Sequence, residues 1–483
     1  MKEISSEQNI VKKEPHPPSP LLAVLPILFL LVSMVITTVY WGMDPHMSVL
    51  MSVIVAAFVA KGCGYTWVML TSAMITAISR ALEAILILLC VGMLIGSWML
   101  CGSIPTMIYY GLLLIAPAVF LPVGLLLMLT VSLTTGSSWS SSGTVGVALM
   151  GIAAGLGINP AIAAGMVISG AYCGDKWSPL SDSTVLAAAT CEVPLYLHVQ
   201  RMIRTTLPSL IIAFIVYSVI SFNIAGTGYD PVVVDNLLRL IDENFTVSWL
   251  LVIPALFIVF SAIVKIPPIP SLLTAALLAG VLGMILQGIT VHEFLETMHF
   301  GYDPEPTGYE LYDRLVSRGG FDSMMWTVSL IMFALAFGGI LDKCGFVESM
   351  LGSIIKRIRR IGTLMAMTVL TGIACDFVLT DQYLSIIMTG RLYAKNFDDY
   401  GLHRSMLSRS CEDGATLWSP MCPWNGCGVY QAATLGVPTL SYFPYAILNL
   451  VNPIVAIIFN YIGYGVVYND PDKPQGTLRK KAK

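Results

Sequence analysis

Charge is what this chain has least of. Asp, Glu, Lys and Arg make up 11% of its 483 residues, where a soluble domain carries about 25%. A net charge of -3 with no basic stripe leaves nothing for nucleic acid to bind. The histidines stand apart, at 16, 46, 198, 292, 299 and 403. His292-Glu293 opens an HE pair, but Glu296 occupies the place where a zinc motif needs its second histidine. Neither a G-x-S-x-G elbow nor a phosphate-binding P-loop occurs. These absences argue against an enzyme, and no cofactor is implied. The ten cysteines form no C-x-x-C pair and lie mostly in apolar runs, so they read as small buried hydrophobes.

Apolar residues are abundant, at 56%, and the mean hydropathy is +0.78. The chain has room for about ten to fourteen crossings of about 20 residues each. An all-α polytopic membrane protein follows, with the lipid bilayer as its solvent. Residues 1–20, polar and rich in proline, read as a disordered tail, and Leu21–Trp41 suits a span better than a cleavable signal. Spans are expected near 21–41, 47–60, 81–101, 207–225, 247–264, 268–287, 323–342 and 446–466. Runs 118–135 with 143–156, and 361–379 with 382–390, fit either full crossings or re-entrant hairpins. Segments 104–117 and 346–358 read as interfacial, and 288–322 as an external cap.

The chain repeats itself. Gly96-x4-Cys101-Gly102 matches Gly339-x4-Cys344-Gly345, Trp177-Ser178-Pro179 matches Trp418-Ser419-Pro420, and Pro208 matches Pro453, at nearly constant offset. The matches divide the chain into repeats at 21–225 and 246–466, a linker at 226–245 and a basic tail at 467–483. Loop charge then orients the halves. Lys61, Arg80, Arg201 and Arg204 mark cytoplasmic loops in the first half, and their second-half counterparts carry no such bias. In the second half Lys356, Arg357, Arg359 and Arg360 mark a loop whose first-half counterpart is uncharged. Equivalent loops on opposite sides imply inverted-topology repeats with broken helices. The acidic linker is then external and both termini cytoplasmic, with Arg479, Lys480, Lys481 and Lys483 on the inner face of the plasma membrane.

One stretch carries the chemistry. Gly174-Asp175-Lys176-Trp177-Ser178-Pro179-Leu180-Ser181-Asp182-Ser183-Thr184 interrupts an apolar run. Ionisable residues at membrane depth are costly unless they line a polar path. Pro179 breaks the helix and frees carbonyls that need partners. Hard cations favour carboxylates, hydroxyls, amides and freed carbonyls. Asp175 and Asp182 are therefore expected as the main proton and sodium carboxylates, with Ser178, Ser181 and Thr184 as neutral oxygens. Thr135, in the polar turn 134–142, is added from the first half, and Asp381, Asp413 and Asn425 from the second. Asp413 is expected to face the same cavity as a third sodium ligand, and Lys176 to pair with Asp175. Burial favours a protonated carboxylate and a bound cation opposes it, so competition for one carboxylate makes an exchanger. The bland reading of each hydroxyl is a helix–helix hydrogen bond.

The stretch Gly170 to Thr184 resembles the signature of NhaC-type sodium/proton antiporters. So do Leu94 to Gly111, Ser317-Arg318-Gly319-Gly320, and Ser410-Cys411-Glu412-Asp413-Gly414 through to Asn425. The resemblance spans about residues 20–465. It implies secondary active transport on an inverted-repeat, broken-helix fold, with sodium and protons as the transported partners. Relatives of that family also exchange malate and lactate, so a small organic anion is the alternative substrate. For that alternative, half-helix N-termini near Thr144 or Gly426 would face its carboxylate. A homodimer is compatible with this reading.

Overall fold

A computed structural model describes residues 14–227, 230–355 and 357–469. The expected tails at 1–20 and 467–483 fall largely outside the described residues. Among the described residues regular structure is helical, apart from isolated bridges such as Tyr302 with Arg318.

The first half runs α1 (Pro20–Met34), α2 (His46–Gly62), α3 (Trp67–Arg80), α4 (Leu82–Leu100) and α5 (Ser103–Leu114). It continues with α6 (Phe120–Thr135), α7 (Ser138–Ser141), a π-turn at Ser142–Gly146, α8 (Val147–Gly155), α9 (Pro160–Trp177), α10 (Asp182–Thr190) and α11 (Leu195–Thr227). The linker folds as α12 (Pro231–Asn244). The second half runs α13 (Ile253–Ile263), α14 (Pro268–Leu286), α15 (Val291–Phe300), α16 (Glu310–Val316), α17 (Phe321–Lys343) and α18 (Phe346–Ile355). It closes with α19 (Ile361–Leu379), α20 (Gln382–Asp399), α21 (Arg404–Cys411), a π-turn at Glu412–Thr416, α22 (Gly426–Leu435), α23 (Thr439–Tyr442) and α24 (Ile447–Ile462).

The halves repeat each other in element order, and their helix caps fix the register. Ser137 and Asp381 cap the second arms of the two hairpins, α6–α7 and α19–α20. Asn159 and His403 cap α9 and α21, and Ser181 and Asn425 precede α10 and α22. All three pairs share one offset. The same offset relates Gly170, where an added Cβ would lie 2.7 Å from Leu125 O, to Gly414, where it would lie 2.3 Å from Val369 O. It also relates the Ser138–Asp175 hydrogen bond to the one between Gln382 and Ser419. The Trp-Ser-Pro match expected from sequence is thus out of register by one helical turn: Pro179 corresponds to Pro423, not Pro420. A short motif can recur out of register, whereas caps and close backbone contacts cannot.

Among the described residues, seven helices are long and apolar enough to cross a membrane, or nine if each of two bent pairs is one span. The expected ten to fourteen crossings are reached only by counting broken and short helices as well. Breaks at α9–α10 and α21–α22 cut the apolar length below what a bilayer requires of one helix. The connection between Lys61 and Arg80 was expected to be a loop. It is a helix, α3, capped by Thr66 on Met69 N at 3.3 Å, with Leu70, Ala73 and Ala77 buried along one face against α17. The linker is likewise ordered: Val234, Leu237 and Ile241 of α12 are buried, and the helix packs on α5 and α8.

The contact that positions the site is α6 against α9. Gly170 and Gly174 lie one turn apart on α9, and the α6 backbone passes directly over them. A Cβ at 174 would stand 2.3 Å from Leu129 O and 2.7 Å from Leu133 N, both backbone atoms that have no rotamer by which to yield. Overpacking of this kind costs about 1–3 kcal/mol or more. Gly174→Ala is expected to lower the melting temperature of the detergent-purified protein and to reduce its monodisperse yield. An unchanged melt would show that α6 and α9 part easily here.

Candidate ion-binding site

Both hairpin tips and both helix breaks meet at one cavity of about 300 Å³. Its lining includes Thr135, Ser137, Ser138, Asp175, Ser181, Asp182, Asp381, Gln382 and Gly426. Both hairpin tips and the second break begin a new helical arm at a side-chain-capped position. Ser137 accepts from Ser140 N at 3.2 Å, Asp381 from Leu384 N at 2.8 Å, and Asn425 from Cys427 N at 3.0 Å. Such caps satisfy amides that a helix start otherwise leaves unpaired.

Asp175 stands in the last turn of α9, 5% exposed, and receives one side-chain hydrogen bond, from Ser138 Oγ at 2.8 Å. Helix α9 stops two residues later because Pro179 cannot continue it. Thr184 takes up the freed backbone by bonding Asp175 O at 3.4 Å and Lys176 O at 3.3 Å. Ser178 is buried and accepts from Leu180 N at 3.2 Å. Ser181 pairs with Ser183 Oγ at 3.0 Å and lines the cavity. Asp182, exposed at the start of α10, sits at the mouth beside Glu83 and Lys265. Thr135 bonds Ser141 Oγ at 3.0 Å.

Thus Asp175, Asp182, Ser181, Thr135 and Asp381 come together, while Ser178, Thr184 and Asn425 hold the breaks in shape around them. Asn425 donates to Asp376 O at 3.2 Å and caps α22, so both ends of its amide are used. Thr144 does not start a helix but lies within the first π-turn, whereas Gly426 does begin α22 and lines the cavity. Sequence reasoning passed over Gln382, which accepts from Ser419 Oγ at 3.0 Å on the cavity wall. It named Ser138 only as part of a polar turn, although the run of hydroxyls at 137–142 was the signal.

Asp413 is placed elsewhere. It is fully buried away from the cavity and bonded on Oδ1 by Lys176 Nζ, by Thr205 Oγ1 at 3.0 Å and by Asn452 Nδ2 at 2.9 Å. Arg409 Nε lies 3.6 Å from its other oxygen. The expected Lys176–Asp175 pair is therefore replaced by a Lys176–Asp413 pair that ties the first broken helix to the second. The reason is geometric: adjacent residues on a helix point away from each other, and Lys176 leaves the helix towards the π-turn at Glu412–Thr416.

A second cavity, of about 560 Å³, lies at the opposite end of the same helices. The first uses the start of α4, the middle of α17 and the start of α22; the second uses Ile95, Ser323 to Thr327 and Ala432 to Pro438. Arg318 lines it beside Gly436 at the end of α22 and forms no ion pair among the described residues. Between the cavities Trp139 stacks on Tyr430 at 4.1 Å, and Tyr430 donates to Trp139 O at 2.7 Å.

Two broken helices, two hairpins and a carboxylate-lined cavity closed at one end by packed aromatics define a multi-pass secondary transporter. The sequence pattern of the Na+/H+ antiporter family matches residues 170–464. The chain is 36% identical to the Na(+)/H(+) antiporter NhaC of Alkalihalophilus pseudofirmus over 91% of its own length and 95% of that protein. It is 35% identical to the malate-2H(+)/Na(+)-lactate antiporter of Bacillus subtilis, covering 89% of this chain and 92% of that one. It is also 34% identical to the arginine/ornithine antiporter ArcD of Halobacterium salinarum, over 93% of each. The protein belongs to the Na+/H+ antiporter family.

Proposed function

We propose that this protein exchanges sodium for protons by alternating access, with Asp175 as the carboxylate for which the two ions compete. The observation that carries the reading is the place of Asp175: at the joint of a hairpin and a broken helix, inside a cavity, with one hydroxyl donor and free lone pairs. Charge at membrane depth is tolerated where it serves such a path. Ser138, Thr135 and Ser181 offer neutral oxygens around it, and Asp182 at the mouth attracts cations. The cavity opens beside Glu83 and Lys265. Lys61 and Arg80, at the ends of α2 and α3, favour the cytoplasm by their charge, which supports reading this as an inward-facing state. Parting of Trp139 from Tyr430, with closure of the hairpin tips over the mouth, would present the site to the other side. The ion gradients alone drive this cycle, and it uses no cofactor.

Purified protein in liposomes carrying an internal pH dye tests the reading. Imposed sodium gradients should drive proton movement in the opposite direction, and its absence at every gradient would sink antiport.

A second reading is exchange of a small organic anion coupled to sodium and protons. Arg318 favours it, since a guanidinium without an acid partner suits a carboxylate. Malate, lactate, arginine and ornithine on either side of the same liposomes distinguish the two: only this second reading expects flux that requires the organic solute.

The placement we propose is the plasma membrane, with both termini cytoplasmic. Cysteines introduced at 359 and 235 should label from the inside and the outside respectively. Labelling of both from one face would overturn the inverted topology.

A further inference from the structure

We infer that the second half holds a second cation site, centred on Asp376, for a monovalent hard cation of the sodium class; the inference rests on the sodium/proton reading above. Asp376 lies in the last turn of α19 and is fully buried. Neither carboxylate oxygen receives a well-formed hydrogen bond among the described residues, with the Ser385 hydroxyl beside them. No other buried aspartate among them lacks such a bond on both oxygens: Asp413 carries three donors, and Asp175 carries one. An ionised carboxylate cannot stay in such a place without a counter-charge.

The repeat shows what stands opposite it. At the offset set by the helix caps, Asp376 corresponds to Ser132 and Ala415 to Ala171. In the first half Ser132 Oγ donates to Ala171 O at 2.6 Å and holds hairpin to broken helix. In the second half the donor is replaced by a carboxylate, while α19 still packs on the π-turn that contains Ala415. An ionised carboxylate and a carbonyl offer each other only lone pairs, whereas the protonated acid donates to the carbonyl as Ser132 does, so a proton and a cation compete for Asp376. A cation between them turns that repulsion into ligation.

Other oxygens are free to complete the shell. Among the described residues, Thr416 Oγ1, on the same π-turn, is buried without a partner, and Thr389 Oγ1, on the facing α20, has only the Cys375 thiol beside it. Ser385, beside Asp376, spends its proton on Asp381 O at 2.8 Å and keeps lone pairs to give. Carboxylate, hydroxyls and the backbone of a π-turn form an all-oxygen set suited to sodium. The Asp175 site and this one thus occupy equivalent joints of the two halves, with the acid on the broken helix in one and on the hairpin arm in the other.

Equilibrium binding of radioactive sodium to the purified full-length chain tests this. Wild type should bind two sodium ions per chain, Asp376→Asn one, and Asp175→Asn one. Thr416→Val, which leaves every charge in place, should weaken one of the two sites at least about fivefold, and it serves as the readout if Asp376→Asn fails to fold. One sodium per chain in wild type, or two in Asp376→Asn, overturns the second site and leaves antiport standing. No sodium bound at all overturns both readings. Two sites with Thr416→Val indistinguishable from wild type in both removes the π-turn from the shell and with it the site as drawn.

Discussion

Asp175→Asn is expected to reduce sodium-driven proton flux to that of empty liposomes while leaving folded protein in normal yield. The substitution keeps size and shape, and the asparagine oxygen still accepts from Ser138 Oγ, now 2.8 Å from the carboxylate. Gly170 and Gly174 still seat α9 on α6, and Thr184 still covers the freed carbonyls. What is lost is a group that can take and release a proton and meet sodium as an anion. Asp182→Asn is the internal comparison. It is exposed at the mouth rather than at the joint, and screened exposed charges act weakly beyond about 8 Å at physiological salt. Its loss should lower flux only a few-fold, and more at low salt than at high. Wild-type flux in purified Asp175→Asn would remove the residue from the mechanism. Equal losses in both variants would move the exchanging carboxylate to the mouth.

Asp413→Leu is expected to abolish folded protein rather than tune transport. The side chain is buried at 0% exposure and is the anion shared by Lys176 and Arg409, also at 0%. Removing one partner of a buried ion pair costs about 3–5 kcal/mol, because the other charge stays behind unpaired. Typical proteins have only about 5–15 kcal/mol to lose. Lys176→Met should be damaging for the same reason, leaving Asp413 with Thr205, Asn452 and a more distant guanidinium. The double variant Lys176→Met with Asp413→Leu removes both charges and should recover part of the yield and melting temperature. Arg409 keeps its bond to Asn460 Oδ1 at 2.5 Å, which is why recovery is partial. Thermal melts of the three variants in detergent decide this. If Asp413→Leu melts like wild type and only its transport changes, Asp413 belongs to the ion path after all.

The sequence by itself determined the features that need only local chemistry. Apolar length against bilayer thickness gave most spans, with the expected 268–287 found as α14 and 323–342 within α17. Pro179 with acids on either side marked the first break, since proline removes a backbone donor and acids at membrane depth need a polar surrounding. The hydroxyl run at 137–142 and Asp381 marked the two hairpin tips, because short polar side chains cap helix starts. Only the tertiary structure decided which of these groups meet. Lys176 and Asp413 are 237 residues apart, and their pairing depends on how two helices cross, which no local pattern encodes. The same holds for the register of the repeat, set by glycines that touch a neighbouring backbone, and for α3, whose buried face exists only against α17. Asp376 is the clearest case. In the chain it is one more aspartate near a span end; in the fold it replaces a hydrogen-bond donor opposite a packed backbone, and its charge must be neutralised by a proton or a cation.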